Sequence, residues 1–175
     1  MILDRFALQV LDKDEFIYMF GEIYEHSSWV AEGLWEDKEC WVDSDDLAVT
    51  VHQLMKGIVD NQDEATKLAL LRAHPDLAGR AAMAGKLTMS STKEQASAGL
   101  DQCSAEELEL FHQLNDEYKS KFDFPFIMAV KGANKDKILN GFKQRIPNTR
   151  EVEFATALAE VHKIAKFRLD ALFTQ

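Results

Sequence analysis

The chain of 175 residues contains few of the residues that cross-link or interrupt a fold: three prolines, eight glycines and two cysteines. Cys40 and Cys103 lie far apart and form no CxxC pair, so the sequence predicts neither a disulfide framework nor a cysteine zinc site. No apolar run approaches the roughly 20 residues of a membrane-spanning helix, and the first residues lack the apolar core of a signal peptide. We therefore expect a soluble cytoplasmic protein without a membrane partner.

Positive charge is also scarce, because 20 lysines and arginines stand against 30 acidic residues and the formal net charge is −10. A surface of this sign repels nucleic acids and anionic membranes, so neither is an expected partner. A small anionic substrate could still bind, but it would need a local positive group.

The alternation of apolar and polar residues that marks β-strands is almost absent, while helical spacing recurs along the chain. The sequence therefore predicts an all-α fold, a single-domain multi-helix bundle covering residues 1–175. One apolar run, from Phe124 to Gly132, has no second strand with which to pair. We expect it to form one buried extended segment.

Short polar residues with the spacing of helix caps predict where several helices begin. The predicted caps are Asp12 with Glu15, Ser44 or Asp45, Asp63, Ser91 with Glu94, Ser104, and Asn148 with Glu151. The last helix is expected to end near Phe173. Its apolar face is predicted to contain Phe154, Leu158, Val161, Ala165, Arg168 and Leu172.

His74 follows a run of helix-forming residues and precedes Pro75, which lacks the N–H that a helix requires. His74 should therefore lie where a helix stops and can point into a cleft. Its ordinary pKa near neutrality suits it to giving and taking a proton. The alternative is a histidine at a helix end that is favoured only by the helix dipole.

Glu94 and Arg168 are the other two unusual positions. Glu94 could be a catalytic partner or only the second member of a capping box. Arg168 falls on an apolar face, so its guanidinium must either reach solvent along its aliphatic stem or find an anion. Together with His74 they could form an acid–base pair and an anion clamp, although sequence spacing alone does not bring them together.

The remaining histidines show no spacing typical of metal ligands, which disfavours a metal-dependent hydrolase and predicts no metal site. They are His26, His52, His112 and His162.

Four segments, in the same order and across nearly the whole chain, resemble the 2-oxo-4-hydroxy-4-carboxy-5-ureidoimidazoline (OHCU) decarboxylase family. They are residues 74–78 (HPDLA), 91–100 (STKEQASAGL), 124–127 (FPFI) and 164–169 (IAKFRL).

The resemblance implies an all-α homodimer that converts OHCU to (S)-allantoin and carbon dioxide in urate degradation, without a cofactor. It implies that His74 is the catalytic acid–base, that Glu94 is its partner and that Arg168 binds the substrate. It also implies substrate-binding roles for Pro75, Ser91, Gln95, Phe126, Ile127, Met128, Ala129 and Val130. The rival interpretation is a non-enzymatic helical interaction module, in which His74, Glu94 and Arg168 only cap helices or extend an aliphatic stem so that the charged group reaches solvent.

Overall fold

The computed structural model describes residues 3–79, 82 and 85–174, and no strand occurs in that part of the chain. The predicted all-α class is confirmed. A short 3-10 turn, Leu100–Gln102, precedes the eighth of the described helices. These helices are α1 (Arg5–Val10), α2 (Lys13–Phe20), α3 (Trp29–Glu36), α4 (Lys38–Trp41), α5 (Leu47–Asp60), α6 (Glu64–Ala73), α7 (Met89–Ser97), α8 (Ala105–Phe122), α9 (Lys135–Arg145) and α10 (Arg150–Phe173).

The described residues fall into two compact units. The first unit lies within Met1–Ala73 and His162–Gln175, and the second within His74–Val161. Helix α10 therefore begins in the second unit and ends in the first. The expectation of a single domain over residues 1–175 stays a prediction.

In the first unit the core is built on α2, whose start the sequence predicted correctly. The Asp12 carboxylate accepts from the Glu15 N–H at 2.9 Å, and the Glu15 carboxylate accepts from the Asp12 N–H at 3.0 Å. This capping box sets the register of the helix, so that Phe16 and Phe20 both face inwards and stack at 4.4 Å between ring centroids.

A polar chain in the same unit joins the buried side chains of Tyr24 and His162 to Asp60, which is exposed. The Tyr24 hydroxyl lies 2.7 Å from His162 Nδ1, and His162 Nε2 lies 2.9 Å from Asp60 Oδ1. Burial raises the pKa of Tyr24 above its ordinary value, so the phenol keeps its proton and donates it to Nδ1. A neutral His162 then donates its Nε2–H to the carboxylate, which satisfies all three side chains.

This chain makes stability depend on pH. Burial lowers the pKa of His162, although the hydrogen bond to Asp60 acts in the opposite direction. As the pH falls through about 6.5, His162 therefore binds a proton in the unfolded chain before it does so in the folded protein. The free energy of unfolding then decreases, so the stability that His162 contributes above this pH is lost below it. We expect the free energy of unfolding to decrease from about pH 7.5 to about 5.5, with His162 contributing at most about 1.4 kcal/mol per pH unit. Urea titrations of the parent and of His162→Gln measure this contribution, and equal pH slopes in the two proteins would contradict it.

In the second unit the core is aromatic and surrounds the extended segment. Phe126 stacks on Phe142 of α9 with centroids 3.8 Å apart, and Tyr118 of α8 meets Phe126 edge-on at 5.3 Å. Gly141 permits this contact, since a Cβ there would lie 3.2 Å from both Phe126 Cζ and Met128 Sδ. The prediction of a buried extended segment is thus confirmed: Phe124, Phe126, Ile127 and Val130 are buried and not helical.

Two other predicted caps are confirmed and three are wrong. Asp63 accepts from the Thr66 N–H at 2.8 Å, and Ser104 accepts from the Glu107 N–H at 3.1 Å. In the other three cases a neighbouring short polar residue takes the position, because Ser, Thr, Asp and Asn cap almost equally well. The caps of α5, α7 and α10 are Asp46, Thr88 and Thr149, instead of Ser44 or Asp45, Ser91 and Asn148.

The predicted inner face of α10 is partly right. Val161, Ala165 and Arg168 are buried, as predicted, whereas Phe154, Leu158 and Leu172 are only half-buried. The buried positions beside them are Glu153, Ala157 and Leu169. The Glu153 carboxylate can occupy an inner position because three side chains of its own unit bind it: Arg145, Tyr118 and Asn148.

Candidate active site

His74 lies where the sequence predicts it, directly after the last residue of α6 and before Pro75. The residue is only 8% exposed, which is unusual for a titratable group at a helix end. The location is therefore suited to a proton donor or acceptor shielded from bulk water.

The loop after His74 has a strained backbone. Ala78 has φ of 50°, in the left-handed region that costs a residue with a Cβ roughly 1–2 kcal/mol. The next residue, Gly79, leaves no room for a side chain, because a Cβ would lie 2.5 Å from the Cβ of Asp76. Strained backbone of this kind persists only when the surroundings hold it in place.

Three side chains from α7 and α8 supply that support. The Gln95 amide accepts from the Ala78 N–H at 3.0 Å and donates to the Asp76 carbonyl at 3.3 Å. Asn115 donates to the carbonyl of Leu77 at 2.9 Å, and Lys119 forms an ion pair with Asp76 at 2.6 Å. These contacts fix the path of the chain directly after His74.

Glu94 is not a capping residue, because α7 begins two residues before Ser91 and is capped by Thr88. Ser91, Glu94 and Gln95 are separated by three and four residues, so they share one face of α7. Ser91 and Gln95 are buried, Glu94 is half-buried, and Gln95 binds the loop that follows His74. The structure thus gives Gln95 a positioning contact. The substrate contacts of Ser91 and Gln95 and the catalytic role of Glu94 stay predictions.

The extended segment is held by its backbone. The carbonyl of Ile127 accepts from Arg145 at 2.6 Å, and the N–H of Ala129 donates to the Glu160 carboxylate at 2.8 Å. The carbonyl of Val130 accepts from Ala133 at 2.9 Å. The predicted site residues of this segment therefore belong to a fixed scaffold, and their contacts with substrate stay a prediction.

Arg168 belongs to the first unit and is buried in its core, as its place on α10 predicts. The guanidinium donates to the carbonyls of Glu22 and Ile23 at 3.1 and 3.4 Å, and forms an ion pair with the Glu25 carboxylate at 3.3 Å. The alternative in which Arg168 reaches solvent is wrong, because its side chain is only 6% exposed.

Sequence reasoning missed the residues that support this set. Asn115 could have been found, because its amide interrupts the apolar face of α8 formed by Phe111, Tyr118 and Phe122. Arg168 gives the same signal, a polar side chain on an otherwise apolar helix face. Glu25, Lys119, Arg145 and Glu160 gave no such signal, since charged residues in those positions look like ordinary surface residues.

Two expected absences concern metals and membranes. Within residues 3–79, 82 and 85–174, no three His, Cys, Asp or Glu side chains are grouped as metal ligands would be. In the same part of the chain, no helix combines the length and apolarity that crossing a bilayer requires.

Comparison with known proteins identifies the family. Residues 9–170 match the model of a family described as OHCU decarboxylase. A Haloferax volcanii protein named 2-oxo-4-hydroxy-4-carboxy-5-ureidoimidazoline decarboxylase is 44% identical over 94% of this chain and 92% of its own. A Bacillus subtilis protein named uric acid degradation bifunctional protein PucL is 38% identical over 96% of this chain and 32% of its own length. A crystal structure of (S)-allantoin synthase is 35% identical, with a TM-score of 0.75 over 97% of this chain and 54% of that one. The chain belongs to the OHCU decarboxylase family.

Proposed function

We propose that the protein is a cofactor-independent carbon–carbon lyase that converts OHCU to (S)-allantoin and carbon dioxide in urate degradation. The observation that carries this proposal is the match over nearly the whole chain to a relative bearing the decarboxylase name. The buried His74 and its supported loop add a group capable of proton transfer.

The substrate explains why no cofactor is needed. OHCU has a carboxylate and a hydroxyl on one carbon, next to an imine carbon. When the bond to the carboxylate breaks, its electron pair forms a double bond between these two carbons, and the imine nitrogen takes up a proton. The resulting enol loses its hydroxyl proton, and the former imine carbon gains one. The substrate thus accepts the electrons that other decarboxylations pass to a cofactor.

The proposed role of His74 is to deliver the proton to that carbon, with Glu94 as its partner. A histidine suits this step because its charge changes near neutral pH. The left-handed turn at Ala78 and the contacts of Gln95 support the proposal, since they fix the backbone beside His74.

Arg168 is proposed to bind polar oxygen atoms of the substrate, as a planar guanidinium can. The resemblance assigns substrate contacts to Pro75, Ser91, Gln95 and residues 126–130. The fixed backbone of that segment supports the assignment. Amide groups that are already held in place can bind a rigid ring without a further loss of backbone conformational entropy.

The family resemblance also underlies the proposal that the protein is a cytoplasmic homodimer. Light scattering at several protein concentrations tests the oligomeric state directly.

The rival interpretation, a non-enzymatic interaction module, loses support from two observations. It requires Glu94 to be a cap and Arg168 to reach solvent. Thr88 takes the cap, and Arg168 is buried with Glu25.

The test is the stereochemistry of proton delivery. OHCU is made fresh from urate with upstream enzymes and is followed by circular dichroism in deuterated water, with and without the protein. If a fixed group protonates one face, the early product should be (S)-allantoin with one deuterium at the former imine carbon. Uncatalysed decay should give the racemate, so the two reactions are separated at early times, before allantoin racemises.

No acceleration of OHCU loss would overturn the proposed function. Accelerated loss with racemic early product would keep the decarboxylase activity but remove His74 as the proton donor.

A further inference from the structure

The residues around the Arg168 guanidinium form a compact shell. Its NH1 group donates to two consecutive carbonyls, those of Glu22 and Ile23, and its NH2 group faces the carboxylate of Glu25. Both charged side chains are almost fully buried, at 6% and 1% exposure. A guanidinium cannot lose its charge when buried, so the carboxylate balances it.

The segment that carries Glu25 is attached to α10 at two places. Tyr24, the preceding residue, binds His162, which lies six residues before Arg168 on the same helix. The carbonyls of Glu22 and Ile23 bind Arg168 itself. Because both attachments are to one rigid helix, the Glu25 carboxylate has a defined place beside the guanidinium.

Compensation of this charge has a consequence for a decarboxylase. The carboxylate of the substrate leaves as neutral carbon dioxide, so any strong attraction to it in the ground state is lost on the way to the transition state and slows turnover. An uncompensated buried guanidinium would attract that carboxylate strongly. A guanidinium paired with Glu25 attracts it less and can still donate to neutral carbonyl oxygens.

We propose that Glu25 is a positioning residue for Arg168, which orients the guanidinium and limits its attraction for the substrate carboxylate. This inference rests on the proposed function, specifically on Arg168 as a substrate-binding group.

The experiment compares the parent with Glu25→Gln, which keeps the shape of the side chain and removes its charge. We expect kcat for OHCU to fall at least about tenfold while KM does not rise, because ground-state attraction replaces transition-state stabilisation. Competitive inhibition supplies the second readout, with neutral (S)-allantoin and the carboxylate hydantoin-5-acetate as probes. The ratio of their inhibition constants should shift toward the carboxylate by at least about fivefold in Glu25→Gln.

The matched control is Glu36→Gln, which removes one charge from an exposed ion pair with Lys13 in the same unit. It should leave both readouts unchanged. If Glu25→Gln does not fold, Glu25→Asp keeps the charge and moves it back by one methylene. It should lower kcat without shifting the inhibitor ratio, and parental kcat in Glu25→Asp would overturn the inference.

Two other outcomes would also overturn the inference: turnover of Glu25→Gln equal to that of Glu36→Gln, or lower turnover with an unchanged inhibitor ratio. An inactive parent instead contradicts the proposed function, so the two failures are distinguishable.

Discussion

Replacing His74 with asparagine should lower kcat by roughly 10²–10⁴, the usual contribution of a single acid–base group. Asparagine can still form a hydrogen bond but cannot transfer a proton near neutral pH. The loop should keep its path, because Gln95, Asn115 and Lys119 bind residues 76–78. The measurement is the initial rate of (S)-allantoin formation by circular dichroism, with thermal unfolding as the check on folding.

The matched control is His26→Asn. His26 is exposed and has φ of 54°, a conformation that asparagine tolerates better than most residues. This variant should keep parental turnover. A folded His74→Asn protein with turnover near that of the control would remove His74 from the chemistry.

The position of His74 could be predicted because the signal is local. Pro75 ends α6 through covalent constraints that operate in any fold. The all-α class was predictable for a similar reason, since a helical period repeated along the chain needs no knowledge of distant partners.

The start of α7 could not be predicted in the same way. Thr88 and Ser91 are both good caps, and the choice decides whether Glu94 is a capping partner or a side chain in the second turn. The helix is held in the observed register by Gln95, which binds Ala78 and Asp76, 17 and 19 residues earlier in the chain. Hydropathy and capping rules contain no information about such pairs.

Arg168 shows both what the sequence reveals and what it does not. Its place on an apolar face predicted that the guanidinium either reaches solvent or finds an anion, but it did not decide between the two. The partner, Glu25, lies 143 residues earlier, and nothing in its local sequence distinguishes it from a surface glutamate. The charge balance around Arg168 therefore becomes visible only in the folded chain.

Replacing Glu153 with alanine should destabilise the protein by about 3–5 kcal/mol, the cost of breaking a buried ion pair from one side. Glu153 is fully buried, and its carboxylate forms an ion pair with Arg145 at 2.9 Å. It also accepts from the Tyr118 hydroxyl and, at 2.9 Å, from Asn148. Removal of the carboxylate leaves a guanidinium, which cannot lose its charge, inside an aromatic core. Urea unfolding followed by far-ultraviolet circular dichroism measures the loss.

The same variant should reduce turnover in the fraction that remains folded, because Arg145 also donates to the carbonyl of Ile127 and holds the extended segment. The control is Glu151→Ala, an exposed neighbour in the first turn of α10, which should change stability by no more than about 0.5 kcal/mol.

The double variant Arg145→Met with Glu153→Leu removes both charges and should recover much of the stability but not the turnover, since the hydrogen bond from residue 145 to the Ile127 carbonyl is still missing. If the double variant is as unstable as Glu153→Ala, the cost lies in packing and not in the unpaired charge. Parental turnover in the double variant would show that Arg145 is not needed to hold the segment.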